Sequence, residues 1–304
     1  MKLSVSTCAF NGLAKEPDGF IYACEKSKFR NMDINLSFVS QNDDYQKDAE
    51  KIIEASDKTK VKFTMAHAPF KFNPFFSDEH FNIQVEDVKK AIITADMLGI
   101  DRLTVHAGSS LCVDKQDLMH KNKAYYLKLL EYAEKYNIFI MVENISEKIR
   151  NRPFDVQTAD DILWLKELVN YHPLLKACWD TGHANTLNLD QYSNIKKLEG
   201  MLMGIHLQDN NGDNDDHMIP LLGTVNFDEV IKGLKDINYS GPFNFEVHVF
   251  NNGNTWPNYR RPFTESSGAE KLLFDPDDEL RYLGVETLHK VALYIAKKHD
   301  LKFN

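Results

Sequence analysis

Paired cysteines are missing from this chain. Its four, Cys8, Cys24, Cys112 and Cys178, stand far apart, with none of the short spacings of a disulfide framework or a thiolate zinc site. That points to a reducing compartment. Long apolar runs are missing too: none nears the roughly 18 residues needed to span a bilayer. The opening MKLSVSTCAF is too short and too polar for a secretory leader. The expectation is a soluble cytoplasmic protein with no membrane partner. Positive charge is in deficit, with 36 Lys and Arg against 45 Asp and Glu and a net charge of −9. Without basic clusters, nucleic acid is a poor partner, because phosphate binding depends on released counterions. A glycine-rich first turn is also lacking, since Cys8–Lys15 holds only Gly12. An open doubly wound sheet that cradles a dinucleotide is therefore disfavoured.

What the chain does have is a regular alternation. Apolar, β-rich runs occur at Leu3–Phe10, Met32–Val39, Val61–Ala66, Arg102–Val105, Ile138–Val142, Leu174–Trp179, Met201–Ile205 and Pro242–Phe245. Amphipathic stretches separate them. Val85, Val88, Ile92, Ala95 and Leu98 keep a helical period that Gly99 closes, and Tyr126, Leu130 and Ala133 keep another. Thr158–Asp161 reads as a capping box, Asn226 as a cap, and Asp275-Pro276 as the start of a last helix through Leu280, Leu283, Leu288, Val291 and Ile295. Eight strand–helix units with no linker predict an α/β fold, a (β/α)8 TIM barrel forming a single domain over residues 1–304.

In such a barrel all strand ends face one mouth. Collected there are His67, His106, Glu143, Asp180 with His183, His206 and Glu246, and the loop after the seventh strand adds Asp215 and His217. Taken singly, each has a dull reading as a cap or a solvated loop group. Recurring at equivalent positions, they predict a divalent cation, because buried carboxylates without counter-charge are costly.

The segments HAP (67–69), VHAG (105–108), VEN (142–144), DTGH (180–183), HLQD (206–209) and FEV (245–247), in this order, resemble the xylose isomerase-like TIM-barrel superfamily. That group includes sugar isomerases and epimerases, inosose dehydratases and type IV AP endonucleases. The resemblance implies that Glu143, Asp180, His206 and Glu246 are the four ligands of one divalent metal ion (Zn, Mn, Mg or Co). His67, His106, His183, Asp215 and His217 would contact substrate or hold additional metal. Family habit adds a homo-oligomer.

The residue types suit proton abstraction next to a carbonyl. A cation polarises the carbonyl and stabilises the enediolate, and a carboxylate on each face serves as base and acid. Glu143 and Glu246 are the expected catalytic pair. Asp209 and His183 are candidates for orienting hydroxyls, and Trp256, Tyr259, Arg260 and Arg261 for meeting a sugar or polyol substrate. Phe10, Phe70, Phe72, Phe75 and Phe76 are candidates for pocket walls or core.

Three readings stay open. The first is an isomerase or epimerase of a sugar, sugar phosphate or polyol-ketone, or an inosose-type dehydratase. The second is an endonuclease with a multi-zinc site, since all nine residue types of that centre are present. The third is a binding module without turnover. The Asp215-x-His217 pair followed by Pro220-Leu221-Leu222-Gly223 resembles the isomerase-like branch, where a PGEG-type turn follows; here two of the four positions are leucine.

Overall fold

A computed structural model describes residues 1–70, 73–109, 114–146, 154–249 and 276–303. Eight parallel strands close on themselves in chain order. They are β1 (Lys2–Ser6), β2 (Asn31–Asn35), β3 (Lys62–His67), β4 (Arg102–His106), β5 (Phe139–Glu143), β6 (Leu175–Asp180), β7 (Leu202–Leu207) and β8 (Pro242–Phe245). The seam between β1 and β8 runs in register from Lys2 opposite Pro242 to Val5 opposite Phe245. The described helices are α1 (Gly19–Lys26), α2 (Tyr45–Thr59), α3 (Asp78–Met97), α4 (Lys115–Tyr136), α5 (Ala159–Leu168), α6 (Thr181–Thr186), α7 (Gln191–Lys197), α8 (Phe227–Asp236) and α9 (Asp278–Lys298). None is long and apolar enough to cross a membrane among the described residues. The core lies between strands and helices, where Val88, Ile92, Leu129, Leu130, Ile140 and Leu165 are fully or almost fully buried.

Local chemistry explains the boundaries. Ser77, Asp114, Thr158, Asp190, Asn226 and Asp277 each cap a helix by accepting a backbone N–H from three residues on. At Thr158 the cap is a full capping box with Asp161. Gly99, at φ +68°, ends α3 with Gly99 N–H on the Asp96 carbonyl and Ile100 N–H on that of Ala95, a Schellman closure that favours glycine.

Three expectations shift. The runs from Leu3 and Met32 are too long as strands: each breaks into a 3-10 turn, Thr7–Phe10 and Ser37–Ser40. At the second, the Asn35 side-chain oxygen accepts the Ser37 N–H at 2.9 Å and takes the backbone out of the ladder. The last helix begins at the Asp277 cap, so Pro276 precedes it; Asp275 lies outside the described residues. Leu283 is 53% exposed, because the buried stripe of α9 runs through Val285, Leu288, Ala292 and Ile295.

Candidate metal centre

Alternate residues of a strand share a face, so each strand of the barrel aims its last inward residue at the mouth. Oxygen or nitrogen atoms of Glu143, Asp180, His206 and Glu246 all lie within 4.8 Å of one another. Glu143, Asp180 and His206 are fully buried, and the Glu246 side chain is 14% exposed. His206 Nδ1 is 2.6 Å from Glu143 Oε1 and 3.1 Å from Glu246 Oε2. Among the described residues three further clusters adjoin this cup, one of them formed by Cys178 beneath Glu143 and His206. His67 and His106 bring Nε2 atoms to 3.4 and 2.8 Å from Glu143 Oε2, so Glu143 bridges two groups with its two oxygens. His183 and His217 place Nε2 at 3.3 and 3.1 Å from Asp215 Oδ2.

The imidazoles are oriented for ligation. His67 pairs Nδ1 with the Ala68 carbonyl (2.8 Å), His183 with that of Asn144 (2.8 Å) and His217 with that of Glu246 (2.9 Å). A backbone carbonyl only accepts, so Nδ1 carries the proton and Nε2 is the atom turned to the cleft. His206 is reversed: Nε2 lies 3.3 Å from Asp33 Oδ2, and Nδ1 faces the cup.

Among the described residues, Asp180 Oδ2 is buried and has no hydrogen bond, and the only groups facing Glu143 Oε2 are the His106 and His67 imidazoles. Three carboxylates and an imidazole whose donor atoms lie within 4.8 Å of one another, one buried oxygen of them without a partner, fit a divalent cation of the Zn, Mn, Mg or Co class. In its absence, protons do the neutralising. Burial alone would push every imidazole down, yet carboxylates win at His67, His183, His206 and His217, the last raised to about 10. Burial opposes ionisation of Glu246, but His206 and His217 hold it at about 2. At Asp180 burial prevails over His183, with Glu143 and Asp215 adding repulsion, and its carboxyl rises to about 7.

Local structure explains the DTGH segment. Asp180 caps α6 by accepting the His183 N–H at 2.6 Å, so one carboxylate both turns the chain into a helix and faces the cup. Gly182 sits against Gln208; a Cβ there would lie 2.1 Å from the Gln208 side-chain oxygen. Gln208 in turn donates to Asp215 Oδ1 (2.6 Å) and Asp180 Oδ1 (3.3 Å), tying two clusters together.

The profile of the family described as "Xylose isomerase-like TIM barrel" matches residues 23–264. The chain belongs to this family. An uncharacterized protein of Methanocaldococcus jannaschii is 29% identical over 256 residues, covering 81% of this chain and 83% of that one. Among solved structures, a D-tagatose 3-epimerase-like protein superposes with a TM-score of 0.71 at 23% identity, covering 98% of this chain and 99% of the other. A zinc-bound IolI protein does so at 0.73 and 17% identity, covering 98% and 99%. The 3-keto-D-glucoside 4-epimerase of E. coli gives 0.71 at 13%, covering 95% and 99%.

In this member of the xylose isomerase-like family, nine of the residues singled out from sequence (His67, His106, Glu143, Asp180, His183, His206, Asp215, His217 and Glu246) come together in adjoining clusters. Asp209 does not reach it. Its carboxylate accepts four backbone N–H groups, from Asn210, Leu221, Gly223 and Val225 at 2.9 to 3.0 Å, and so holds the Pro220–Gly223 turn. Within that turn Leu221 adopts φ +75°, the left-handed region that favours glycine. Trp256, Tyr259, Arg260, Arg261 and Phe72 lie outside the described residues. Phe70 stands against the His106 ring at 4.6 Å and lines the cleft, whereas Phe10 is core and Phe75 packs on Tyr125.

Three residues went unnoticed in the sequence: Asp33, Gln208 and His248. Period-two alternation was the available signal, since Gln208 shares a face with His206, and His248 with Glu246. Asp33 announced itself as an acid inside the apolar run MDI. His248 stacks edge-on to His217 at 4.8 Å, and burial together with His217 lowers its pKa to about 4, leaving a neutral imidazole at the cleft wall.

Proposed function

We propose that the protein is a divalent-metal-dependent isomerase or epimerase of a sugar or polyol-ketone, acting by proton abstraction beside a carbonyl. The observation that carries this reading is the cup of Glu143, Asp180, His206 and Glu246, three carboxylates around one imidazole, with Asp180 Oδ2 buried and unpartnered. A divalent ion held there polarises a carbonyl and lowers the cost of the charge that develops next to it. The chain supplies the rest. Glu143 and Glu246 come from strands three apart around the barrel and can work on opposite faces of a bound sugar, one taking a proton from carbon and the other returning it. His206 faces Asp33 with Nε2 and so keeps Nδ1 between the two glutamates. Phe70 shields the inner cleft from water, and His248, uncharged, offers a hydrogen bond without adding positive charge.

The D-tagatose 3-epimerase-like protein and the 3-keto-D-glucoside 4-epimerase of similar fold agree with this chemistry. An inosose-type dehydratase would begin with the same abstraction and differ in losing hydroxide afterwards.

A second reading, a multi-zinc phosphodiesterase of the type IV AP endonuclease kind, is favoured by one observation: the nine donors resolve into three adjoining clusters rather than one. The net charge of −9 weighs against a DNA substrate. Elemental analysis and a panel of ketoses in heavy water decide. One ion per chain with deuterium entering next to the carbonyl supports the isomerase. Three zinc ions with nicking of abasic DNA and no exchange into any ketose would replace it with the nuclease.

A further inference from the structure

The cleft is larger than the cup requires. Its volume is about 1140 Å3, above the roughly 300–1,000 Å3 of sites that enclose a drug-sized ligand. The donor clusters occupy its inner end, and the remainder extends over the segments that follow β1 and β2. Those segments are fixed in place. Leu36 N–H bonds the His67 carbonyl at 2.9 Å, tying the Ser37–Ser40 turn to the rim beside the cup, and Asn35 N–H bonds the Thr7 hydroxyl at 3.2 Å.

The outer end has a consistent chemistry. Phe20 on α1 and Phe38 in the turn are half-buried, packed on the core while also lining the cleft. The Asn35 side-chain oxygen is taken by Ser37, and no acceptor among the described residues takes its NH2 group. The Gln41 carboxamide has no side-chain hydrogen bond among the described residues. Charge is balanced: Lys15 adjoins Glu16, and Asp48 is held by Lys51 at 3.0 Å. Aromatic faces beside spare carboxamides suit a neutral polyhydroxyl group, whose C–H faces lie on rings and whose vicinal hydroxyls pair with amides. A phosphate would instead call for converging cations.

We infer that the substrate is a conjugate, a carbonyl-bearing sugar over the cup joined to a neutral glycosyl group that lies on Phe20, Phe38, Asn35 and Gln41. This rests on the sugar reading of the cup, and the experiment separates the two. The metal-loaded protein is given a free ketohexose, the same ketose bearing a neutral glycosyl group, and the ketose phosphate, with deuterium uptake followed in heavy water. Binding of a hexitol and of a reduced disaccharide is measured in parallel by calorimetry. The glycosylated ketose is expected to exceed the free one in kcat/KM by 10-fold or more, the phosphate to gain nothing, and the reduced disaccharide to bind 10-fold tighter than the hexitol. Phe38→Ala and the surface variant Gln41→Ala are expected to shrink both ratios toward one. Equal rates for free and glycosylated ketose, or a preference for the phosphate, overturn the inference. If no ketose exchanges deuterium, the isomerase reading falls, and the disaccharide-to-hexitol ratio alone then decides whether the outer end binds a glycosyl group.

Discussion

Two layers of the same barrel, one above the other, are built on opposite principles. The upper layer presents His67, Glu143, Asp180 and His206 to the mouth. Two residues earlier on the same strands, and so on the same inward face, stand Met65, Met141, Cys178 and Gly204. Met65, Met141 and Cys178 form a separate buried cluster of their own, with Met203 against it. A Cβ on Gly204 would meet Met141 Sδ at 2.9 Å and Cys178 Sγ at 3.2 Å, so the lower layer is filled to contact. Sulfur-bearing side chains are adaptable and fill an irregular floor well. The upper layer is charged and polar throughout, its carboxylates and imidazoles facing one another at 2.6 to 3.4 Å. The floor supplies the stability that the mouth gives up by holding buried charges ready for an ion.

The sharpest break between the layers should come from Glu143, which takes part in three of the donor clusters among the described residues. Glu143→Gln is expected to lower turnover by about 10²–10⁴-fold and to reduce bound metal, with the metal-free protein still folded by circular dichroism. Retention of full metal content and turnover would show that the upper layer does not act as a unit. One storey down, Met141→Ala should cost about 2–5 kcal/mol in denaturant unfolding and leave metal stoichiometry intact. A parallel loss of metal would mean that the floor also positions the donors.

Asp33 lies at the join. Fully buried, it accepts from Asn244 Nδ2 at 3.0 Å and faces His206 Nε2. Asp33→Leu is expected to weaken metal binding by about 10–100-fold, read by calorimetry, and to lower the thermal stability of the metal-free protein, because buried Asn244 Nδ2 and His206 Nε2 lose the carboxylate they face. Asp33→Asn, which can still accept from His206, should restore most of the affinity. An unchanged affinity in the leucine variant would remove Asp33 from the site.

Protonation separates the layers next. Asp180 keeps its proton to about pH 7 in the metal-free fold, against an ordinary value of 3.8, and His217 keeps its own to about 10 against 6.5. In both windows the folded state binds more protons than the unfolded one, so stability declines with rising pH. The part from His217 is complete below pH 6.5 and is lost as pH climbs through 10. Between about pH 4 and 6.5 the lowered His248 offsets Asp180, so metal-free protein should unfold at progressively lower temperature from about pH 6.5 to 10. Metal at 100 times its Kd should add about 2.7 kcal/mol and flatten that slope, since the ion takes the place of the protons. A slope unchanged by metal would dissociate these groups from the ion.

The smallest effect is expected at Leu221, 46% exposed at φ +75°. Leu221→Gly removes a left-handed strain of about 1–2 kcal/mol and adds about 0.5–1 kcal/mol of chain entropy to the unfolded state. Thermal unfolding should move up slightly or not at all. A marked loss would show that the leucine side chain holds the turn, rather than Asp209 through its three N–H contacts there.

Strand order, closure of the barrel and family membership were legible because apolar runs, caps and strand-end acids recur in linear order, and periodicity is a local property. Gly99, Thr158 and Asn226 sit where their neighbours require them. So do Glu143 and Asp180, each placed by the strand that carries it. What lay beyond the sequence depended on direction and on partners far away in the chain. Asp209 and Gln208 are adjacent and both follow β7 directly, yet one spends its oxygens on its neighbour's N–H and a turn twelve to sixteen residues later and the other links Asp180 to Asp215. Asp33 matters only because ring closure brings β2 across to His206 and Asn244, on strands remote from it in sequence. The amino-acid order determined which groups each strand carries to the mouth. Only the closed barrel decided which of them meet, because a side chain's neighbours across a ring are set by tilt and register, not by separation along the chain.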